Sequence, residues 1–227
     1  MFHVEQKQFP QEFLESLDRG ARSLGFVLTE ENLEKFQTYF QELCHWDKSI
    51  NLTGLRTDLE KAVLLFVDSL AGGLVLQNMK KGLVVDIGTG GGFPGIPLKI
   101  LFPEHQFYLI EPKEKKVSFL RLVIGKIGLE KTRVIQSRLE EVNRKAPEHD
   151  LCDMAFIKGV KLGHVEPFMQ NILKKSGKLV VFRARNIENE EPIGKMIIQE
   201  EIPYELPFGF GSRVLSILRY PDSESER

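Results

Sequence analysis

From residue 83 onward the chain is built of short apolar runs, each rich in β-branched or aromatic residues, separated by stretches with helical spacing. LVVDI (83–87), QFYLI (106–110), TRVIQ (132–136), LCDMAFI (151–157) and KLVVFR (178–183) are short and almost continuously apolar. Strands of that texture suit burial on both faces, and a parallel sheet covered by helices is the architecture that provides it. The alternation predicts a βαβαβ domain of the α/β class. Near the end, EIPYELPF (201–208) and SRVLSILRY (212–220) follow one another without room for a crossover helix. They are expected to pair as an antiparallel hairpin at the sheet edge.

Before residue 80 the pattern is helical. Phe13, Leu17, Ala21 and Leu24 recur at about one turn, as do Leu33, Phe36, Phe40 and Leu43. Thr29 followed by Glu30 and Glu31 reads as an N-cap with acidic first-turn residues that suit the helix dipole. WDKSINLTGLR (46–56) breaks the period, and a third helical stretch is predicted from Asp58 to Leu76. The expected organisation is a helical segment (1–78) packed on a main domain (79–220), with a disordered tail (221–227). A chain of 227 residues is long enough for one sizeable α/β core with such an appendage. With 42% hydrophobic and 28% charged residues it lies well outside the range of disordered chains. No run approaches the roughly 20 apolar residues of a membrane helix, and MFHVEQKQFPQEF lacks the basic and apolar regions of a secretory leader. A cytoplasmic protein without membrane contact, acting as a monomer, is expected. Cys44 and Cys152 fall in a helix and a buried strand, where they read as small packing residues rather than a disulfide.

The chemistry concentrates in LVVDIGTGGGFPGIPL, residues 83–98, where a strand ends at Asp86 and the chain enters a glycine run before a helix. Gly88, Gly90, Gly91 and Gly92 let backbone N–H groups approach a ligand without a Cβ in the way, and Thr89 stands among them. Pro94 and Pro97 suit the first turn of the following helix. Residues 90–95 also fit G-x-G-x-x-G, so a dinucleotide site has to be weighed, and that spelling alone is weak. A dinucleotide fold delivers an anionic pyrophosphate to this turn, where the Asp86 carboxylate would repel it. S-adenosylmethionine carries an ammonium and a sulfonium and no phosphate, so the same carboxylate favours it. Glu111, at the end of the next strand in YLIEPK, can accept hydrogen bonds from ribose hydroxyls in either case.

The formal net charge of −1 hides an uneven distribution: residues 81–185 hold 19 Lys and Arg against 11 Asp and Glu, while both flanking regions are acidic. Lys113, Lys115, Lys116, Arg121, Lys126, Arg138, Arg144 and Lys145 belong to this excess and could form one positive face for phosphates, or simply solvated helix faces. The five histidines show no metal-ligand spacing, so no metal site is expected. Among methyl-transfer chemistries, the exocyclic-amine enzymes place an Asp/Asn-Pro-Pro-aromatic element after the fourth strand, and here that position reads AFIKGVK. Neither cysteine context suggests the activated thiol that carbon-5 cytosine chemistry needs. Guanine N7 presents an in-plane lone pair, and positioning alone can serve it, contributing roughly 7–11 kcal/mol. No catalytic acid or base is then required.

At this point WDKSINLTGLR, FVDSL, DIGTGGGFPGIPL and QSRLEEV together resemble the GidB (RsmG) family of 16S ribosomal RNA guanine-N7 methyltransferases, over about residues 36–220. The resemblance implies a Rossmann-like class I methyltransferase fold, S-adenosylmethionine as cofactor, and 16S ribosomal RNA or the small ribosomal subunit as partner, with a guanine of the 530 loop as target. It also implies that Gly88 and Phe93 contact the cofactor, that Glu111 takes the ribose, and that Leu139 and Glu140 bound the adenine. Asp86, Thr89, Gly90 and Gly92 complete the expected cofactor cradle.

Departures from the family pattern cluster on the substrate side. The family usually reads Ser-Arg-Ala where this chain has Ile157, Lys158 and Gly159. Arg183 and Ala184 stand where Lys-Gly or Lys-Ala is usual, and Leu65 where a His is usual. The basic exchanges keep charge but alter geometry, since Arg offers a planar fork and Lys a point charge. Lys158, Arg183, Arg213 and Arg138 remain the substrate-side candidates, with Lys158 also close to the cofactor. A same-fold methyltransferase for another RNA or a small molecule, a non-catalytic cofactor-binding RNA-binding module, and a dehydrogenase are the competing readings.

Overall fold

A computed structural model describes residues 11–145, 151–184 and 194–221. Of the tail expected to be disordered, residues 222–227 lie outside the described residues. The amphipathic pattern before residue 80 gives α1 (Gln11–Ser23) and α2 (Glu30–Ile50). Thr29 caps α2 as expected, and Asn32 completes a reciprocal capping box: the Thr29 side chain accepts from the Asn32 N–H and the Asn32 side chain accepts from the Thr29 N–H. Helix α2 ends on Asn51, a residue type that tolerates its left-handed φ of 49°. The Asp47 carboxylate then accepts from the Thr53 N–H and hydroxyl, both at 2.9 Å, which fixes the turn that the sequence shows only as a break in period.

The third helical stretch is not one helix. It runs through α3 (Asp58–Lys61), a π-helical segment (Ala62–Val67) and α4 (Asp68–Leu70), breaks at Ala71 and Gly72, and resumes as α5 (Gly73–Leu76). The apolar spacing of AVLLFV is compatible with either winding, so periodicity could not separate them. Gly20 of α1 lies against this segment, where a Cβ would collide with the Val67 side chain.

The remaining elements are β1 (Leu83–Ile87), α6 (Gly95–Leu101), β2 (Gln106–Ile110), α7 (Glu114–Lys126), β3 (Thr132–Ile135), α8 (Leu139–Lys145), β4 (Cys152–Lys158), α9 (Glu166–Met169), β5 (Leu173–Arg183), β6 (Ile197–Leu206) and β7 (Gly211–Arg219). They form a seven-stranded sheet in the order β3-β2-β1-β4-β5-β7-β6. Strands β1 to β5 are parallel, and β6 and β7 add the antiparallel edge hairpin that the sequence predicts.

Side chains alternate between two cores, as the period of a strand requires. Val84, Phe107, Leu109, Met154, Phe156 and Val180 face one cluster, which also contains Phe13, Leu17, Phe36, Tyr39 and Phe66 of the helical segment. Val85, Ile87, Ala155, Ile157, Leu179 and Val181 face the other, with Leu162, Val165 and Met169. Cys152 is buried and Cys44 half-buried, both as free thiols.

Candidate active site

In a parallel α/β sheet, ligands collect outside the carboxyl ends of the strands, and here the relevant ends are those of β1, β2, β4 and β5. Between β1 and α6 the glycine run forms a tight turn whose Gly88 and Thr89 N–H groups both donate to the Ile110 carbonyl of β2, at 3.0 and 3.1 Å. Gly90 has φ +60°, and a Cβ built on it would meet little beyond Lys116 Nζ at 3.7 Å and its own turn. This stretch of backbone is therefore open for a ligand to approach. Gly92 (φ +103°) is closed in the opposite direction, with Ile96 Cδ1 2.6 Å and the Tyr39 hydroxyl 2.7 Å from where a Cβ would stand.

Asp86 lies beneath this turn and has no exposed surface. Its Oδ2 accepts from the Gly95 N–H at 2.7 Å and from the Thr89 hydroxyl at 2.5 Å, joining both ends of the turn to the strand. Burial pushes its pKa up to about 7, against the opposing pull of the Thr89 and Gly95 donors and of the Lys158 charge. Oδ1 is buried without a hydrogen-bond partner among the described residues. One carboxyl oxygen thus holds the turn, and the other lies beneath it as a buried polar atom without a partner among the described residues. Glu111, 4% exposed, spans the far side: Oε2 accepts from the Gly90 N–H at 3.1 Å and Oε1 from the Lys113 N–H at 2.9 Å. A backbone cradle open at Gly90, a carboxylate on the neighbouring strand and an orphaned carboxyl oxygen beneath the turn, which a nearby positive charge would help to ionise, suit a ligand with ribose hydroxyls and positive charge, as S-adenosylmethionine has.

The other expected cofactor residues divide. Leu139, 8% exposed, starts α8 and packs with Val85, Ile87 and Ile110, while Glu140 beside it is exposed. Phe93 turns its ring into the core instead of presenting it at the surface of the turn. It is 7% exposed, stacks on Tyr39 with centroids 5.3 Å apart and meets Phe66 edge-on at 5.1 Å. The reason is α2: Tyr39, fully buried, donates its hydroxyl to the Gly91 carbonyl at 2.6 Å and so pins the glycine turn from below. Sequence reasoning missed Tyr39 because it sits within an ordinary apolar stripe.

At the end of β4, Lys158 Nζ donates to the Leu64 carbonyl of the π-helical segment at 2.8 Å and pairs with Asp68 Oδ2 at 2.9 Å. Asp68 Oδ1 accepts from the Tyr204 hydroxyl of β6 at 2.6 Å, and burial beside Asp68 drives the Tyr204 pKa strongly upward. Lys158 therefore ties β4 to the helical segment through one ammonium, and Asp68 carries the link on to β6, a role that no local pattern announces. Arg183 ends β5 and pairs in register with Val214, next to Arg213 of β7, whose Nη1 donates to the Ser212 carbonyl at 2.8 Å. Lys158, Arg183 and Arg213 thus belong to three consecutive strands of the sheet, β4, β5 and β7. Arg138, exposed after β3, stands three strands from β4, on the order of 14 Å. Of the wider basic set, Lys113, Lys115 and Lys116 gather at one cleft and Lys126 pairs with Glu42 at 2.5 Å. The side chains of Arg144 and Lys145 lie outside the described residues. Trp46 is half-buried at the margin of the core, where it packs on Phe119 with 5.8 Å between centroids.

Sheet order and strand-end turn are those of the class I, Rossmann-like methyltransferase fold. Solved structures share the fold at low identity: MtNAS in complex with MTA and tNA (TM-score 0.58, 12% identity, covering 93% of this chain and 86% of that one) and TrmN from Thermus thermophilus (0.55, 14%, 80% and 52%). The M1A22 tRNA methyltransferase TrmK of B. subtilis does so as well (0.51, 15%, 66% and 65%). Within that class, the profile of the GidB family, rRNA small subunit methyltransferase G, matches residues 32–212, and the chain belongs to this family. Curated proteins named Ribosomal RNA small subunit methyltransferase G are 34% identical in Caldanaerobacter subterraneus (87% of this chain, 86% of that protein) and 35% in Geotalea uraniireducens (88% and 93%). One from Pelotomaculum thermopropionicum is 42% identical over 135 residues, which is 60% of this chain and 56% of that protein.

Proposed function

We propose that the protein is an S-adenosylmethionine-dependent ribosomal RNA methyltransferase that modifies N7 of a guanine in the 530 loop of 16S ribosomal RNA, in the cytoplasm, on the RNA or the small subunit. The observation that carries this reading is the family match over residues 32–212, which spans α2, the π-helical segment, the glycine turn, Glu111, the ends of β4 and β5, and the start of β7. When bound, S-adenosylmethionine supplies an electrophilic methyl group on a cationic sulfur. Guanine N7 carries a free lone pair, so no side chain has to remove a proton before attack, and catalysis reduces to alignment.

In this reading Glu111 orients the ribose, Leu139 and Glu140 bound the adenine, and Gly88, Thr89, Gly90 and Gly92 shape the backbone cradle. Asp86 holds that cradle in place, and a cationic cofactor above it favours the ionised form of its carboxyl. Phe93 acts from beneath the turn as an anchor. Lys158 keeps positive charge at the β4 end, and Arg183, Arg213 and Arg138 attract the RNA backbone. Mass-spectrometric mapping of 16S RNA from cells with and without the gene tests the proposal. A methyl group on N7 of a 530-loop guanine should be present only when the gene is present. Identical 16S RNA from both strains would overturn the reading.

A further inference from the structure

Outside the strand-end turn, a cleft of about 560 Å³ opens between the C-terminal end of α2 and the first turn of α7. Its walls carry Lys48, Lys113, Lys115 and Lys116, with Asn51 between them. Two acids also line it, Asp47 and Glu114. Asp47 is already committed: its oxygens accept from Thr53, and Lys61 Nζ lies 3.9 Å away. None of the four lysines belongs to an ion pair among the described residues. Four cations facing one concavity, with a single uncommitted carboxylate, repel one another until an anion enters. Lys48, Lys113 and Lys115 are exposed and have no ion-pair partner among the described residues, so their charges are open to a partner in solution.

The position of the cleft identifies the partner. Lys116 Nζ stands 3.7 Å from where a Cβ on Gly90 would be, so the cleft adjoins the open side of the glycine turn. The neighbouring Lys113 backbone N–H is held by Glu111. An anion seated here would lie beside the glycine turn on the β2 side of β1, whereas Lys158 and Arg183 end strands on the β4 side. We propose that this cleft seats backbone phosphate of the RNA strand flanking the target guanine, so that the strand is gripped on both sides of the nucleotide being modified. The inference rests on the RNA reading above and adds to it a binding site contributed by α2 and α7. Lysine suits the task because a point charge on a flexible stem follows a phosphate without demanding bidentate geometry.

The test uses the full-length protein, a 16S RNA fragment containing the 530 loop, and S-adenosylmethionine, with the variants Lys48→Ala, Lys115→Ala and the pair. Wild-type methylation of the fragment is measured first. If the wild type neither binds nor methylates it, and does not methylate small ribosomal subunits from cells lacking the gene either, the RNA reading falls and this inference with it; if only the subunits are methylated, they replace the fragment in the same test. If the wild type is active, each lysine removed should lower the slope of log affinity against log salt by roughly one unit and weaken RNA binding. Affinity for S-adenosylmethionine should stay within twofold. Unchanged RNA affinity and slope in the pair would overturn the inference while leaving the methyltransferase reading intact. A fall in cofactor affinity with an unchanged RNA slope would also overturn it, and would assign the lysines to the cofactor's carboxylate.

Discussion

At the scale of single residues, Asp86 carries the clearest consequence. Its carboxyl is fully buried and its folded pKa lies near 7, raised from an ordinary 3.8, chiefly by burial. A carboxyl whose pKa is raised on folding is held protonated by the native state while the unfolded chain ionises. Its contribution to stability is therefore greatest below about pH 4, declines as pH rises, and levels off above about pH 7. Unfolding free energy of the cofactor-free protein should fall across this window by up to about 1 kcal/mol per pH unit. Denaturant titrations at several pH values check this, with Asp86→Asn expected to remove most of the slope. Equal slopes in both proteins would mean that another group is responsible. Asp86 itself was legible in the sequence as the acid before the glycines, but its share in holding the turn was not, because the Gly95 N–H that it binds is nine residues away.

At the scale of elements, the decisive contact is between α2 and the glycine turn. Tyr39 stacks under Phe93 and donates to the Gly91 carbonyl, so the helix before the sheet sets the height of the turn. Tyr39→Phe keeps the ring and removes only the hydroxyl. It should cost about 1–3 kcal/mol, because a buried carbonyl loses its partner. It should also lower S-adenosylmethionine affinity severalfold by loosening the cradle. Thermal or chemical unfolding measures the first effect and calorimetric titration the second; a variant as stable and as tight-binding as the wild type would remove Tyr39 from this role. The existence of α2 was readable from Leu33, Phe36, Phe40 and Leu43, and its start from Thr29. The π-helical winding of Ala62–Val67 was not, since one extra residue per turn leaves a short apolar run looking the same.

At the scale of the whole molecule, Asp68 joins the helical segment, β4 and the edge hairpin. It is 6% exposed and receives both Lys158 Nζ and the Tyr204 hydroxyl, while Lys158 also holds Leu64. Asp68→Ala would leave a largely buried ammonium and a buried hydroxyl without their acceptor. A loss of about 3–5 kcal/mol is expected, above the cost of Tyr204→Phe at about 1.5–3 kcal/mol, where the buried carboxylate loses one donor and keeps Lys158. Urea unfolding of the two variants checks the ranking, and an Asp68→Ala protein as stable as Tyr204→Phe would show that Lys158 finds another partner.

The strands, the parallel order implied by their apolar texture, the edge hairpin and the glycine turn could all be read from the chain, because each depends on residues within a few positions of one another. The pairing of Tyr204 with Asp68 spans 136 residues and that of Lys158 with Leu64 spans 94. No periodicity links positions so far apart. The inward turn of Phe93, the convergence of Lys48 with Lys113, Lys115 and Lys116, and the engagement of Lys158 were settled when the two cores packed around the sheet. Those contacts arise from the close approach of distant segments, which local patterns do not encode.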